Sequence, residues 1–322
     1  MSLTVLTIAA FAVAIFMGIN IGGNNAAASM GAAYGARART KRQAVILIAF
    51  FSLLGAIFSG GEVIKTLGHG IVPGDSITAN AAIIAIAAAG LSMFFANMIR
   101  VPISTSQAAV GAVGGVGLYV GILNTDVLIT IAAWWVITPL LAFILAYITG
   151  KYLHPIILMW LVDHESEVQI RQIINIMLTI SGCYVAYSAG ANNAANAVGP
   201  LVGAGVMTTG TGAVLGGLSI GLGAMVLGSR VLETVGKGIT ELCVVRAVFV
   251  EFVAAILVHT ASIMGIPVSL GEIVTASIIG IGCANQGLIA TKNETVRRII
   301  VMWFVSPILA GTLTFFALMV FG

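Results

Sequence analysis

Two stretches of this chain carry the side chains best suited to chemistry. Asn20-Ile21-Gly22-Gly23-Asn24-Asn25-Ala26-Ala27-Ala28-Ser29-Met30-Gly31 lies near the start, and Ser188-Ala189-Gly190-Ala191-Asn192-Asn193-Ala194-Ala195-Asn196-Ala197-Val198-Gly199 opens the second half. Both sit in long uncharged runs, with no Lys, Arg, Asp or Glu from Ser2 to Ala36 or from Gln172 to Ser229. Asparagine amides offer donors and acceptors without charge, and they are costly in hydrocarbon. Paired, glycine-interrupted apolar segments in matching positions of two halves point to a transporter's binding site. A helix broken at such glycines presents N–H groups of partial positive charge, which bind anions. On that reading Gly22, Asn24, Asn25, Ser29, Gly190, Asn192, Asn193 and Asn196 surround an anion. The plainer alternative is interhelical hydrogen bonding by the amides, worth about 1 kcal/mol.

Pro102-Ile103-Ser104-Thr105-Ser106-Gln107 predicts a second anion-friendly end, a proline-started helix with three hydroxyls. Pro267-Val268-Ser269-Leu270-Gly271-Glu272 is its poorer copy, with the hydroxyl of Ser269 alone. Capping at the membrane edge is the alternative for both. Glu272 and Glu251 are the acids placed within the membrane, where a carboxyl is a candidate proton or ion relay, or else an interfacial partner for Arg246 or a lysine. Gln107 stands where a relay group could also sit. Gly217-Leu218-Ser219-Ile220-Gly221 has a hydrolase-like pattern, but that elbow needs a strand-to-helix turn, and a packing face of small residues fits better.

The elements that must position these groups are transmembrane helices. The chain is 59% hydrophobic and 8% charged, with a mean hydropathy of +1.11, which excludes a water-soluble globular protein of this size. The 39 glycines suit close helix packing, and no period-2 segments of a β-barrel are visible. The three cysteines and four histidines are scattered, so no disulfide framework, metal site or cofactor is expected. With no basic residue before Arg37, the first apolar run is read as a span and not a cleaved leader. Predicted spans are 3–22 (continuing to about 36), 43–60, 77–98, 102–121 and 127–149, then 172–190 (continuing to about 205), 212–228, 242–262, 267–285 and 298–321. The organisation follows as an N-terminal repeat over 1–150, a cytoplasmic linker over 151–171 and a C-terminal repeat over 172–322. The spans at 102–121 and 267–285 are open to being re-entrant hairpins.

The two halves are copies. Glu62-Val63-Ile64-Lys65-Thr66-Leu67-Gly68 matches Arg230-Val231-Leu232-Glu233-Thr234-Val235-Gly236 at the same offset of 168 residues that relates the asparagine clusters. The Pro102 and Pro267 elements are followed at equal distance by Gly115-x-Gly117 and Gly280-x-Gly282. With ten crossings and both termini outside, thirteen of the fourteen Lys and Arg fall on one face, leaving Lys65 on the other, as the positive-inside rule requires. An odd number of crossings per half predicts that the second repeat is inverted. The expected fold class is therefore an all-α polytopic membrane protein of two inverted-topology repeats, each of about five helices, with broken helices or re-entrant hairpins.

The duplicated Gly-x-Asn cluster, the Val-x-x-Thr-x-x-x-Gly-Ile block, the Pro-x-Ser-Thr element and the Arg246…Glu251-Phe-x-Ala-Ala segment together resemble the inorganic phosphate transporter family. The resemblance spans nearly the whole chain. It implies an inverted-repeat symporter of tetrahedral oxyanions working by alternating access, in a cell inner membrane, as a homodimer, with no nucleic-acid partner. Its phosphate carriers have Gly-Ala-Asn-Asp at both clusters; here the Asp positions are Asn25 and Asn193, and a following Asn is Ala28. Their Pro-x-Ser-Thr-Thr-His ends here in Gln107 and Glu272. These departures resemble the family's sulfate permease branch. Monohydrogen phosphate carries a proton that a carboxylate accepts, whereas sulfate has none to give and is repelled by one. In the phosphate carriers the aspartates are also implicated in sodium binding, so their loss favours protons over sodium as the coupling ion, through Glu272 or Glu251. The expectation is sulfate import by a symporter. Sodium- or proton-coupled phosphate import is the nearest alternative, an anion channel is the alternative from another class, and an intramembrane hydrolase using Ser219 and His259 is a third.

Overall fold

The computed structural model describes residues 3–73, 76–98, 103–228, 232, 244–286 and 294–322. Among the described residues twelve α-helices follow one another: α1 (Leu3–Gly35), α2 (Lys41–Ser59), α3 (Gly61–Lys65), α4 (Ala79–Met98), α5 (Thr105–Val120), α6 (Thr125–Ile148), α7 (His154–His164), α8 (Glu167–Gly203), α9 (Thr209–Gly223), α10 (Val244–Ile263), α11 (Leu270–Gln286) and α12 (Glu294–Phe321). Among the described residues eight helical segments are long and apolar enough to cross a membrane, and the chain is a multi-pass membrane protein. Large apolar side chains such as Ile129, Val136, Leu140, Ile308 and Phe316 point outward, as a lipid-facing surface requires. The two predicted spans that fall short are α5 and α11, of 16 and 17 residues.

One sequence expectation is corrected. The asparagine clusters do not break their helices: α1 runs unbroken for 33 residues through Gly22–Asn25, and α8 for 37 residues through Gly190–Asn193. The breaks lie instead just before α5, at Ile103–Ser104, and between α10 and α11, at Ile266–Ser269. Residues 151–171 are largely helical: α6 continues through a π-type turn (Thr149–Leu153) into α7, and only Glu165 and Ser166 separate α7 from α8. Ser166 then caps α8 reciprocally with Gln169.

The glycines explain why the helices stay whole. A methyl group at Gly22 would run into the Ile220 carbonyl of α9, and one at Gly190 into the Ser52 carbonyl of α2. Ser52 and Ile220 are themselves 168 residues apart. The same exchange recurs for Gly55 against Tyr187 and Gly223 against Ile19, and for Gly115 against Gly311 and Gly280 against Phe143. These are backbone-to-backbone crossings of the small-residue kind. The turns repeat too: Arg37 (φ 59°) precedes the Thr40 cap of α2, and Gly205 (φ 69°) precedes the Thr208 cap of α9. The core between the halves is filled by Met17, Ile21, Ile64, Leu67, Val113 and Leu201. The second copy of the Val-x-x-Thr-x-x-x-Gly-Ile block, apart from Leu232, and Pro102 lie outside the described residues. Gly217 and Gly221 pack on Leu53, Ala56 and Ala49, as the packing reading expects, and the Ser219 hydroxyl donates to the Leu215 carbonyl of its own helix.

Candidate functional site

The structure gathers polar side chains where α8, the start of α5 and the α10–α11 connection meet. Ser104 caps α5 by accepting from the Gln107 N–H (3.3 Å), which turns Thr105 and Ser106 into the interior. Ser106 Oγ donates to the Val268 carbonyl (2.8 Å) and lies 3.2 Å from Asn193 Oδ1. Asn196 Nδ2 is within donor range of Ser106 Oγ and Asn193 Oδ1 (both 3.2 Å) and of Thr105 Oγ1 (3.4 Å). All of these residues are buried, and none of the cluster is Lys or Arg. Residues from both halves thus meet in one hydrogen-bonded, uncharged cluster.

Asn192 has a different task. Its Nδ2 donates to Ser262 Oγ (3.1 Å) and the Ile266 carbonyl (3.0 Å), and its Oδ1 accepts from the Val268 N–H (3.0 Å). It therefore clasps the α10–α11 connection, which Trp135 of α6 pins from the other side through Nε1–H to the Pro267 carbonyl (3.0 Å). The connection needs such partners because its extended backbone is buried and has lost helical hydrogen bonds. Ser269 caps α11, accepting from the Glu272 N–H (3.4 Å), so Glu272 sits one turn from Val268.

Four side-chain atoms of the predicted site residues are buried without a protein partner: Asn25 Nδ2 on α1, Gln107 Oε1 on α5, Asn196 Oδ1 on α8 and Glu272 Oε1 on α11. Buried polar groups are almost always satisfied, so such atoms ask for a ligand or water. The α1 side of the junction is held by Ala28, which packs on the cluster containing Val268, Leu270 and Ile273.

Other predicted residues are placed elsewhere. Asn24 is exposed, the reverse of its copy Asn192. Ser29 spends its hydroxyl on the Asn25 carbonyl of its own helix (3.0 Å). Gly22 and Gly190 face α9 and α2, so they do not open backbone N–H groups to a ligand. Glu251 is buried and accepts from Ser181, about 16 Å along α8 from Asn192. Sequence reasoning missed Ser262 and Trp135. An indole in an apolar helix, needing a partner for its N–H, was the available signal for Trp135.

A buried neutral polar cluster at the meeting of interrupted helices in a multi-pass protein is an arrangement of the kind that membrane transporters use for binding. The phosphate transporter family model matches residues 21–314, and the chain belongs to that family. It is 40% identical over 317 residues to the sulfate permease CysP of Bacillus subtilis, covering 98% of this chain and 88% of that protein. It is 30% identical over 374 residues to a putative phosphate permease of Pyrococcus furiosus, covering 91% and 90%. Among solved structures it superposes on a sodium-dependent phosphate transporter with a TM-score of 0.85 at 26% identity, covering 98% of this chain and 99% of that one. The family and these relatives are transporters, so the chain is a transporter and not an enzyme.

Proposed function

We propose that this protein imports sulfate by proton-coupled alternating access across a bacterial-type inner membrane, with both termini outside. The observation that carries the reading is the uncharged, hydrogen-bonded junction of Thr105, Ser106, Asn193 and Asn196, in which Asn196 Oδ1 is left without a protein partner. A fully deprotonated dianion needs donors, so Glu272, whose Oε1 is unpartnered near the α10–α11 connection, is assigned its neutral, protonated form. Hydroxyls and amides supply donors, and an amide turned by half a revolution presents N–H where oxygen stood. Asn25 and Asn193, in place of aspartates, remove the acceptor that a protonated phosphate would use. Ser104 and Ser269 act as caps that hold the two helix starts.

The movement we assign to it is that of two inverted repeats, 1–150 and 172–322, rocking about this junction. The glycine crossings support this, because each contact between the halves recurs with the halves exchanged. The direction of α8 supports it as well: successive contacts of Ser52, Gly55 and Gly60 climb α8 from Ala186 to Ala191, so α2 and α8 run the same way and the equivalent helices α1 and α8 oppose each other. A homodimer is the assembly we expect from the family.

Sodium-coupled phosphate import is the second reading, favoured by the likeness to a sodium-dependent phosphate transporter over nearly the whole chain. Purified protein in liposomes separates the two when proton and sodium gradients are imposed one at a time. The expected result is sulfate accumulation driven by an acidic exterior and resistant to equal phosphate. Accumulation driven by sodium alone, or sulfate flux abolished by equal phosphate, overturns it. Flux that never concentrates substrate would make the protein a channel.

A further inference from the structure

Outside the junction just described, a polar cluster bridges three of the helices long and apolar enough to cross the membrane. His259 of α10 places Nδ1 3.0 Å from Tyr184 Oη of α8 and Nε2 3.3 Å from Ser59 Oγ at the end of α2. Ser59 Oγ is in turn 2.7 Å from Tyr187 Oη of α8. Both tyrosine rings also meet the imidazole edge-on, with centroids 5.7 and 5.3 Å away. We propose that the His259 imidazole, held between Tyr184 and the Ser59–Tyr187 hydroxyl pair, is the group that takes up and releases the proton co-transported with the anion. This rests on the proton-coupled reading above.

The hydrogen-bonding logic suits both states of the ring. Neutral imidazole has one donor and one acceptor nitrogen, and imidazolium has two donors. Every partner is a hydroxyl, which can reverse its role by rotation. With a neutral ring, Tyr187 donates to Ser59 and Ser59 donates to Nε2, while Nδ1–H donates to Tyr184. On protonation a hydronium ion on the proton-rich side gives its proton to Nε2 and leaves as water. The new N–H then donates to Ser59 Oγ, Ser59 turns its hydrogen toward Tyr187 Oη, and the Tyr187 O–H rotates away from Ser59. Release to water on the other side reverses the change, and no ring nitrogen is orphaned in either state.

Position favours His259 over the carboxyls considered from the sequence. It is half-buried, whereas Glu251 and Glu272 are each 4% exposed. Ser59 belongs to the first half and the other three residues to the second, so protonation alters a contact between the halves. Ser262, which holds Asn192 and through it the α10–α11 connection, lies one turn further along α10. The titratable groups facing the ring are Tyr184 and Tyr187 of α8. On α10 itself Glu251 lies about two turns earlier and is engaged with Ser181. Of the charged or titratable groups on other elements packed against α10, His154 of α7 meets Phe249 toward the opposite end. Glu62 and Lys65 of α3 pair with each other at 2.7 Å and are exposed, and Glu272 of α11 lies beyond the connection.

The test uses His259→Gln and the unaltered protein in liposomes. Labelled sulfate is followed both as sulfate–sulfate exchange and as accumulation under an imposed pH gradient. Exchange needs no net proton release, so it should stay near the unaltered rate, while pH-driven accumulation should fall by about a hundredfold, the lower range for loss of a positioned proton carrier. In Tyr184→Phe, which removes one partner of the ring, the pH giving half-maximal accumulation should shift with exchange intact. Gradient-driven accumulation by His259→Gln at the unaltered rate and pH profile overturns the assignment and leaves the proton-coupled reading standing. Loss of exchange and accumulation together also overturns it, making His259 part of the folding or binding machinery. If the unaltered protein runs on sodium alone, the proton-coupled reading has failed and the assignment fails with it.

Discussion

The seam between α1 and α4 and the seam between α8 and α10 correspond at fixed sequence offsets and differ in character. At the offsets relating the halves, 168 for α1 to α8 and 165 for the Pro102 element to its copy, Tyr184 answers to Phe16, His259 to Phe94, Ser181 to Val13 and Glu251 to Ile86. Phe16 and Phe94 still meet, with ring centroids 6.1 Å apart, much as Tyr184 meets His259. A ring contact is thus present in both seams, tilted in the apolar one and edge-on in the polar one. A buried polar group is costly unless it is paired, so the fold did not need the polar version, and the second seam carries it for another purpose. The same contrast separates Asn24, exposed, from Asn192, fully buried and holding the α10–α11 connection.

Changes at equivalent positions break or sharpen this comparison, and the largest effect belongs to the part that did not diverge. Gly22→Val and Gly190→Val each drive a side chain into a facing backbone carbonyl, so both should cost about 3 kcal/mol or more. Neither should give a monodisperse folded protein in detergent, whereas Gly114→Ala, with open space around it, should behave as the unaltered chain does. If only one of the two valines is tolerated, the exchange symmetry of the crossings is wrong.

The asparagines come next. Asn193→Ala should lower sulfate uptake by about tenfold to a hundredfold, the range for losing a hydrogen bond to a charged group, while Asn24→Ala should leave it unchanged. Equal losses would mean that exposure does not separate the copies. Asn192→Ala orphans the Val268 N–H and should destabilise the protein by about 1–3 kcal/mol, read as a lowered melting temperature. The smallest effect is expected from Phe16→Tyr with Phe94→His, which writes the polar pair into the first seam. Without counterparts of Ser59 and Tyr187, whose equivalents are Leu227 and Ile19, the pair should add no new pH dependence to uptake.

Much of this was legible in the sequence, because amides in a hydrocarbon run and repeated blocks at a constant offset have few explanations. The membrane class, the family and the convergence of Asn193, Asn196, Thr105 and Ser106 needed nothing else. The continuity of α1 and α8 was not legible, since a glycine that admits a crossing helix and one that breaks its own helix are written alike. Nor could local sequence tell Asn24 from Asn192: both follow Gly-x, and only the packing of α10 buries one. His259 and Ser59 lie 200 residues apart, and their meeting depends on how α2, α8 and α10 assemble.

The central claim is that a neutral, donor-lined junction selects an anion with no proton to give. The most direct test is the ratio of phosphate to sulfate uptake by the double variant Asn25→Asp with Asn193→Asp in liposomes, against the unaltered protein. Restoring the two carboxylates should raise that ratio by about tenfold or more, corresponding to about 1.4 kcal/mol of altered discrimination. A ratio that stays the same or falls, in a variant that still transports, would contradict it.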